Sequence, residues 1–126
     1  SGTVSVGHTG DITSYASVLN GTAFGIDASA YGDVTVDSTG SITVSGKYAT
    51  GISAIAQAGD VTVNSGNAIT ANALVHQGLG ILAIAQAGNA TVGNTGAITV
   101  TGMAPGAGVM GVVAGYFGGW ADSVIR

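Results

Sequence analysis

A unit of 27 to 30 residues recurs four times along this chain and limits its fold more than any other feature. Each copy starts at a glycine. It reads Gly-Asp-Val-Thr-Val, a short polar stretch, Ser-Ile-Thr-Val, a variable stretch, then Gly-Ile-x-Ala-x-Ala. The clearest copies begin at Gly32 (GDVTVDSTGSITVSG), Gly59 (GDVTVNSGNAITANA) and Gly88 (GNATVGNTGAITVTG); a weaker one begins at Gly2 (GTVSVGHTGDITSYA). Self-similarity at this period predicts a stacked-repeat architecture, in which each unit buries its apolar face against its neighbours. Such folds hold shape and present surface, so a structural or adhesive role is expected ahead of catalysis.

Within the unit from Gly32, Val34 and Val36 alternate with Thr35, the period of a half-buried strand. Ile42 and Val44 alternate with Ser41, Thr43 and Ser45 in the same way. Ile52, Ala54 and Ala56 begin a third run. Between the runs lie Asp37-Ser38-Thr39-Gly40 and Ser45-Gly46-Lys47, which carry turn chemistry. The expectation is an all-β fold: a parallel β-solenoid, or β-helix, of about four triangular coils with three short strands each. Residues 1–126 form a single domain on this reading, with coils starting near 2, 32, 59 and 88. Residues 118–126 are a tail, a cap or the start of a further coil. A hairpin-based fold is disfavoured, because Asn20-Gly21 is the one Asn-Gly turn.

Stacking predicts ladders of like residues about 4.8 Å apart. Val4, Val34, Val61 and Ala90 form one inward column, and Val6, Val36, Val63 and Val92 the next. Ile12, Ile42, Ile69 and Ile98 form a third. Outward, Ser5, Thr35, Thr62 and Thr91 line up, as do Thr13, Thr43, Thr70 and Thr99. Gly10, Gly40 and Gly96 recur at one corner, where positive φ is expected. Asn67 holds that place in the third unit, and asparagine also tolerates such a backbone.

The stretch after the second strand is the part that varies in length. From its isoleucine to the next motif glycine is 13, 9, 11 and 10 positions, taking Gly25, Gly51, Gly80 and Gly108. It carries Tyr15, Lys47, Tyr48 and His76. Insertions in solenoids map to one edge, often the recognition edge.

The third strand is apolar on both sides. With Ile52, Ile81 and Val109 inward, Ile55, Leu82, Ile84, Met110 and Val112 fall outward. In the first unit the matching outward sites are Asp27 and Ser29. A strand apolar on both sides is normally covered on both sides. From strand rise and coil spacing the stripe is about 350 Å², a size at which patches on soluble proteins begin to mark contact. This predicts a self-association face. The coils also stop without evident caps, which suits an excised or processed piece, or a subunit that stacks end to end. Tyr116, Phe117 and Trp120 are candidates for a C-terminal contact or cap.

Composition excludes several function classes. Charged residues make up 6% of the chain and the basic ones are Lys47 and Arg126 alone, so phosphate neutralisation over a nucleic-acid site is not expected. There is no cysteine and hence neither a disulfide nor a thiolate metal site. No apolar run of about 18 residues is free of Gly, Thr, Asn or Gln, so no membrane span is expected in this segment. There is no glutamate, and the six aspartates have no nearby arginine or lysine cluster, so no catalytic carboxylate pair is expected. Asp33 and Asp60 stack and could offer oxygens to Ca²⁺, but a calcium site needs six to eight oxygen ligands. His8 and His76 occupy non-equivalent positions in the repeat. The expectation is no enzyme and no cofactor.

The strings GDVTVDSTGSITVSG, GNTGAITVTG and TGISAIAQAGDVTV resemble the passenger-domain repeats of bacterial autotransporter-like surface proteins. The resemblance covers roughly residues 2 to 118. It implies a right-handed β-helix, extracellular or at a bacterial cell surface, with roles in adhesion, biofilm or matrix. The outer-membrane barrel of that family is missing from the sequence. Together these readings predict a non-enzymatic building element of an extracellular filament, matrix fibre or surface adhesin. Its partners would be copies of itself or neighbouring parts of a longer surface protein. The alternative is a carbohydrate- or host-surface-binding module that uses Tyr15, Tyr48 and His76 on the variable edge.

Overall fold

A computed structural model describes residues 2–16, 21–73, 78–102, 109–115 and 123–125. Strands β1 (Val4–Thr9), β2 (Ile12–Tyr15) and β3 (Thr22–Ala30) make the first coil. The second holds β4 (Val34–Gly46) and β5 (Tyr48–Ala56), the third β6 (Val61–Ala73) and β7 (Gly78–Ala85). The fourth holds β8 (Ala90–Asn94), β9 (Ile98–Gly102) and β10 (Val109–Gly115). β11 (Ser123–Ile125) then lies on β8 and starts another rung. Every pairing is parallel and joins one coil to the next. The fold is thus an all-β solenoid. The solenoid makes about three turns, slightly fewer than the four coils that the repeat suggested.

The ladders of the first two strands follow the repeat residue for residue. Val4 pairs with Val34, Val34 with Val61 and Val61 with Ala90. Ile12, Ile42, Ile69 and Ile98 run in one line, and so do Thr13, Thr43, Thr70 and Thr99. Val34, Val36, Ile42, Val44, Val61, Val63 and Val92 have no exposed surface. Full burial of such a side chain stabilises by roughly 1.5–3 kcal/mol. β-branched residues suit this arrangement because they pack well on a pleated, half-buried surface.

Three expectations need correction. First, the first and second strands of a middle coil are not separate: β4 and β6 each run 13 residues through the corner. Backbone pairing continues from Asp37 to Ser41 on one strand and Asn64 to Ala68 on the other, so the turn is a bend within one sheet. There are accordingly two sheets, β1-β4-β6-β8-β11 with β2 and β9 alongside, and β3-β5-β7-β10.

Second, the backbone at that corner is not uniform. Gly10 (φ 127°) and Gly40 (φ 108°) are left-handed as expected, but Asn67, paired with Gly40, is not. A side chain at Gly40 would run into the Gly10 carbonyl as well as strain the backbone. By the third coil the bend is made without a positive φ, so asparagine's tolerance is not called on.

Third, the fourth coil enters the second sheet three residues later than the motif suggested. Val112 pairs with Ile81 and Val113 with Leu82, whereas Val109 pairs with Gly78. The flanking register sets Gly111 alongside Gly80, and in the same way Gly51 alongside Gly25 and Gly80. These glycines interrupt the ladder and turn inward. A Cβ on Gly51 would sit 2.5 Å from the Gly80 carbonyl oxygen and 2.5 Å from Ile69 Cγ2. The motif glycine at Gly51 therefore marks a close approach of the two sheets.

Candidate functional surfaces

Asp11, Asp33, Asp37 and Asp60 hold coil to coil. The amide of Asp60 donates to Asp33 Oδ1 (2.9 Å), and the amide of Asn89 donates to Asp60 Oδ1 (2.8 Å). The amide of Ser41 donates to Asp11 Oδ1 (3.0 Å), and Asn64 Nδ2 to Asp37 Oδ1 (2.7 Å). In the fourth coil Thr101 Oγ1 donates to Asn72 Oδ1 (2.6 Å). In each case the acceptor lies one coil before the donor. Asp33 and Asp60, the pair considered for Ca²⁺, each have one oxygen committed to a backbone N–H. Among the described residues no group of three His, Cys, Asp or Glu comes together. Sequence reasoning saw the Gly-Asp repeat but missed this role, although recurrence of Asp or Asn once per coil was its signal.

The proposed self-association face lies on the second sheet. Asp27, Ser53 and Leu82 share one outward ladder, and Ser29, Ile55 and Ile84 the next. Ile55, Leu82 and Ile84 are half-buried within their own chain and keep part of their surface exposed. Ser53 is 3% exposed. In the fourth coil the backbone register differs from the one the motif suggests: Val112, expected beside Ile84, pairs with Ile81. Met110 was placed beside Leu82, but it pairs with Leu79. The positions that continue the two outward ladders are Val113 and Gly115.

On the variable edge, Tyr15 is 75% exposed and Tyr48 39%. Lys47 Nζ lies 5.9 Å from the centroid of the Tyr48 ring, within cation–π range. The corner is pinned by backbone contacts: the amide of Ala16 donates to the Ser45 carbonyl (2.8 Å), and that of Tyr48 to the Gly21 carbonyl (3.2 Å). The sequence did not single out Phe24, which is 39% exposed on the same side of this corner. His76, Tyr116, Phe117 and Trp120 lie outside the described residues.

The other corner carries an open groove of about 740 Å³ that crosses all four coils. Asp37 and Asn64 line it with Thr9, Thr39 and Thr95. Beneath it runs an inward polar column, His8, Ser38 and Ser65. His8 Nε2 and Ser38 Oγ are buried without a hydrogen-bond partner. The one helix-based criterion for a membrane span is unmet: among the described residues no helix is long and apolar enough to cross.

No family model matches the chain, and no curated protein or solved structure matches it significantly.

Proposed function

We propose that this chain is a non-catalytic building element of an extracellular bacterial filament, matrix fibre or surface adhesin. The observation that carries the reading is the use of its polar side chains. Asp11, Asp33, Asp37, Asp60 and Asn72 all bond to a neighbouring coil. Side chains committed to coil-to-coil bonds are suited to mechanical continuity along the axis.

Two surfaces support assembly. Among the described residues β1 and β3 pair on one side only, as does β10 on the opposite edge. Unpaired parallel edges accept a further rung, whether from the same polypeptide or from another copy. Ile55, Leu82 and Ile84 add a half-buried apolar strip for lateral contact. The resemblance to autotransporter passenger repeats favours a cell-surface location. Sedimentation velocity over a wide concentration range tests the proposal. Mass that grows with concentration supports it, and an invariant monomer sinks it.

A further inference from the structure

We propose that the corner formed by Phe24, Tyr48, Lys47 and Tyr15 is a binding site for a neutral oligosaccharide. This goes beyond the structural role and does not depend on it. Among the described residues four large apolar side chains are exposed, and three of them, Tyr15, Phe24 and Tyr48, gather around this one corner. Tyr48 pairs with Thr22 and Phe24 with Thr50, so the two rings are diagonal neighbours on adjacent coils. Strand rise and coil spacing put their backbones about 8 Å apart. Two aromatic plates at that separation can meet successive rings of a linear sugar, whose C–H faces stack on aromatic rings.

The polar groups around the plates fit hydroxyls. Lys47, the one lysine or arginine among the described residues, stands over the Tyr48 ring and supplies N–H donors. Asp27 is exposed on the outer face of the same strand as Phe24 and supplies acceptors. Thr22 is exposed in the ladder position next to Tyr48. A protein partner would call for a contiguous apolar centre; here Thr22 shares a face with both rings, Lys47 adjoins Tyr48 and Asp27 lies farther along the Phe24 strand. An acidic saccharide would face Asp27 and a net charge of −4. A neutral, hydroxyl-rich ligand satisfies donor, acceptor and plates together.

The test is calorimetric titration of the full chain with neutral cello-, xylo- and galacto-oligosaccharides, and with oligogalacturonate as the charged comparison. At least one neutral series should bind, with little dependence on salt. Phe24→Ala and Tyr48→Ala should each weaken it at least fivefold, Lys47→Gln less, and Tyr31→Ala, an exposed tyrosine elsewhere, not at all. Circular dichroism of each variant separates lost binding from lost fold. The proposal is overturned if no neutral oligosaccharide binds, if only oligogalacturonate binds, or if folded Phe24→Ala and Tyr48→Ala bind like the parent.

Discussion

Asp33 reaches across from one coil to the next and accepts the backbone amide of Asp60 at 2.9 Å. The same link is repeated one coil later between Asp60 and Asn89. A carboxylate in this place satisfies an N–H at a corner where the sheet ladder offers no carbonyl. Replacing Asp33 with alanine leaves that N–H to solvent. The expected cost is about 1 kcal/mol, the usual net worth of one such bond. Asp33→Asn should cost less, because an amide oxygen still accepts. Urea unfolding midpoints of the two variants check the order.

The sheet-to-sheet approach at Gly51 gives a sharper prediction. An alanine methyl there would meet the Gly80 carbonyl and Ile69 Cγ2, both in packed surroundings. Gly51→Ala should destabilise by about 1–3 kcal/mol, the range for overpacking a core. Gly7 has nothing within 4 Å of the corresponding point. Gly7→Ala should change stability by less than about 0.5 kcal/mol. Equal effects at the two sites would contradict the close approach.

Much of this was legible in the sequence, and the boundary is instructive. Columns such as Val36-Val63-Val92 could be read because like residues recur once per repeat and alternate with polar neighbours such as Thr35, Thr62 and Thr91. The fourth coil misled because both Gly108 and Gly111 precede a valine, and the motif alone cannot say which valine pairs with Ile81. Asp37 to Gly40 read as a turn from its residue types, yet inter-coil backbone pairing holds it within a continuous strand. The exposed ring of Phe24 was hidden among apolar residues, since the inward and outward alternation changes at Gly25, with Phe24 exposed and Ile26 buried, and composition does not announce the change. The aspartate links required knowing that corner amides lack a ladder partner.

Position in the stack should grade the cost of core truncation. Ile69 lies in a middle coil and is 1% exposed, whereas Ile12 is only partly buried in the first. Ile69→Ala should cost roughly 2–5 kcal/mol. Ile12→Ala, with fewer neighbours on one side, should cost clearly less. Denaturant unfolding of both variants, compared with the parent, checks the gradient.

The lateral strip can be separated from the fold. Ile84 is half-buried on the outer face of β7, so a charge there meets solvent rather than core. Ile84→Lys should leave the circular dichroism spectrum unchanged and reduce the concentration-dependent mass of the chain. Leu82→Lys should act in the same direction. Unaltered self-association in both would remove this strip from the assembly surface.

The central claim is that the chain acts as a building element through its stacked coils. Electron microscopy of the purified chain at rising concentration tests it most directly. The account predicts elongated particles that lengthen with concentration while keeping the width of one solenoid or of a lateral pair. Particles that remain the size of a single chain at every concentration would contradict it.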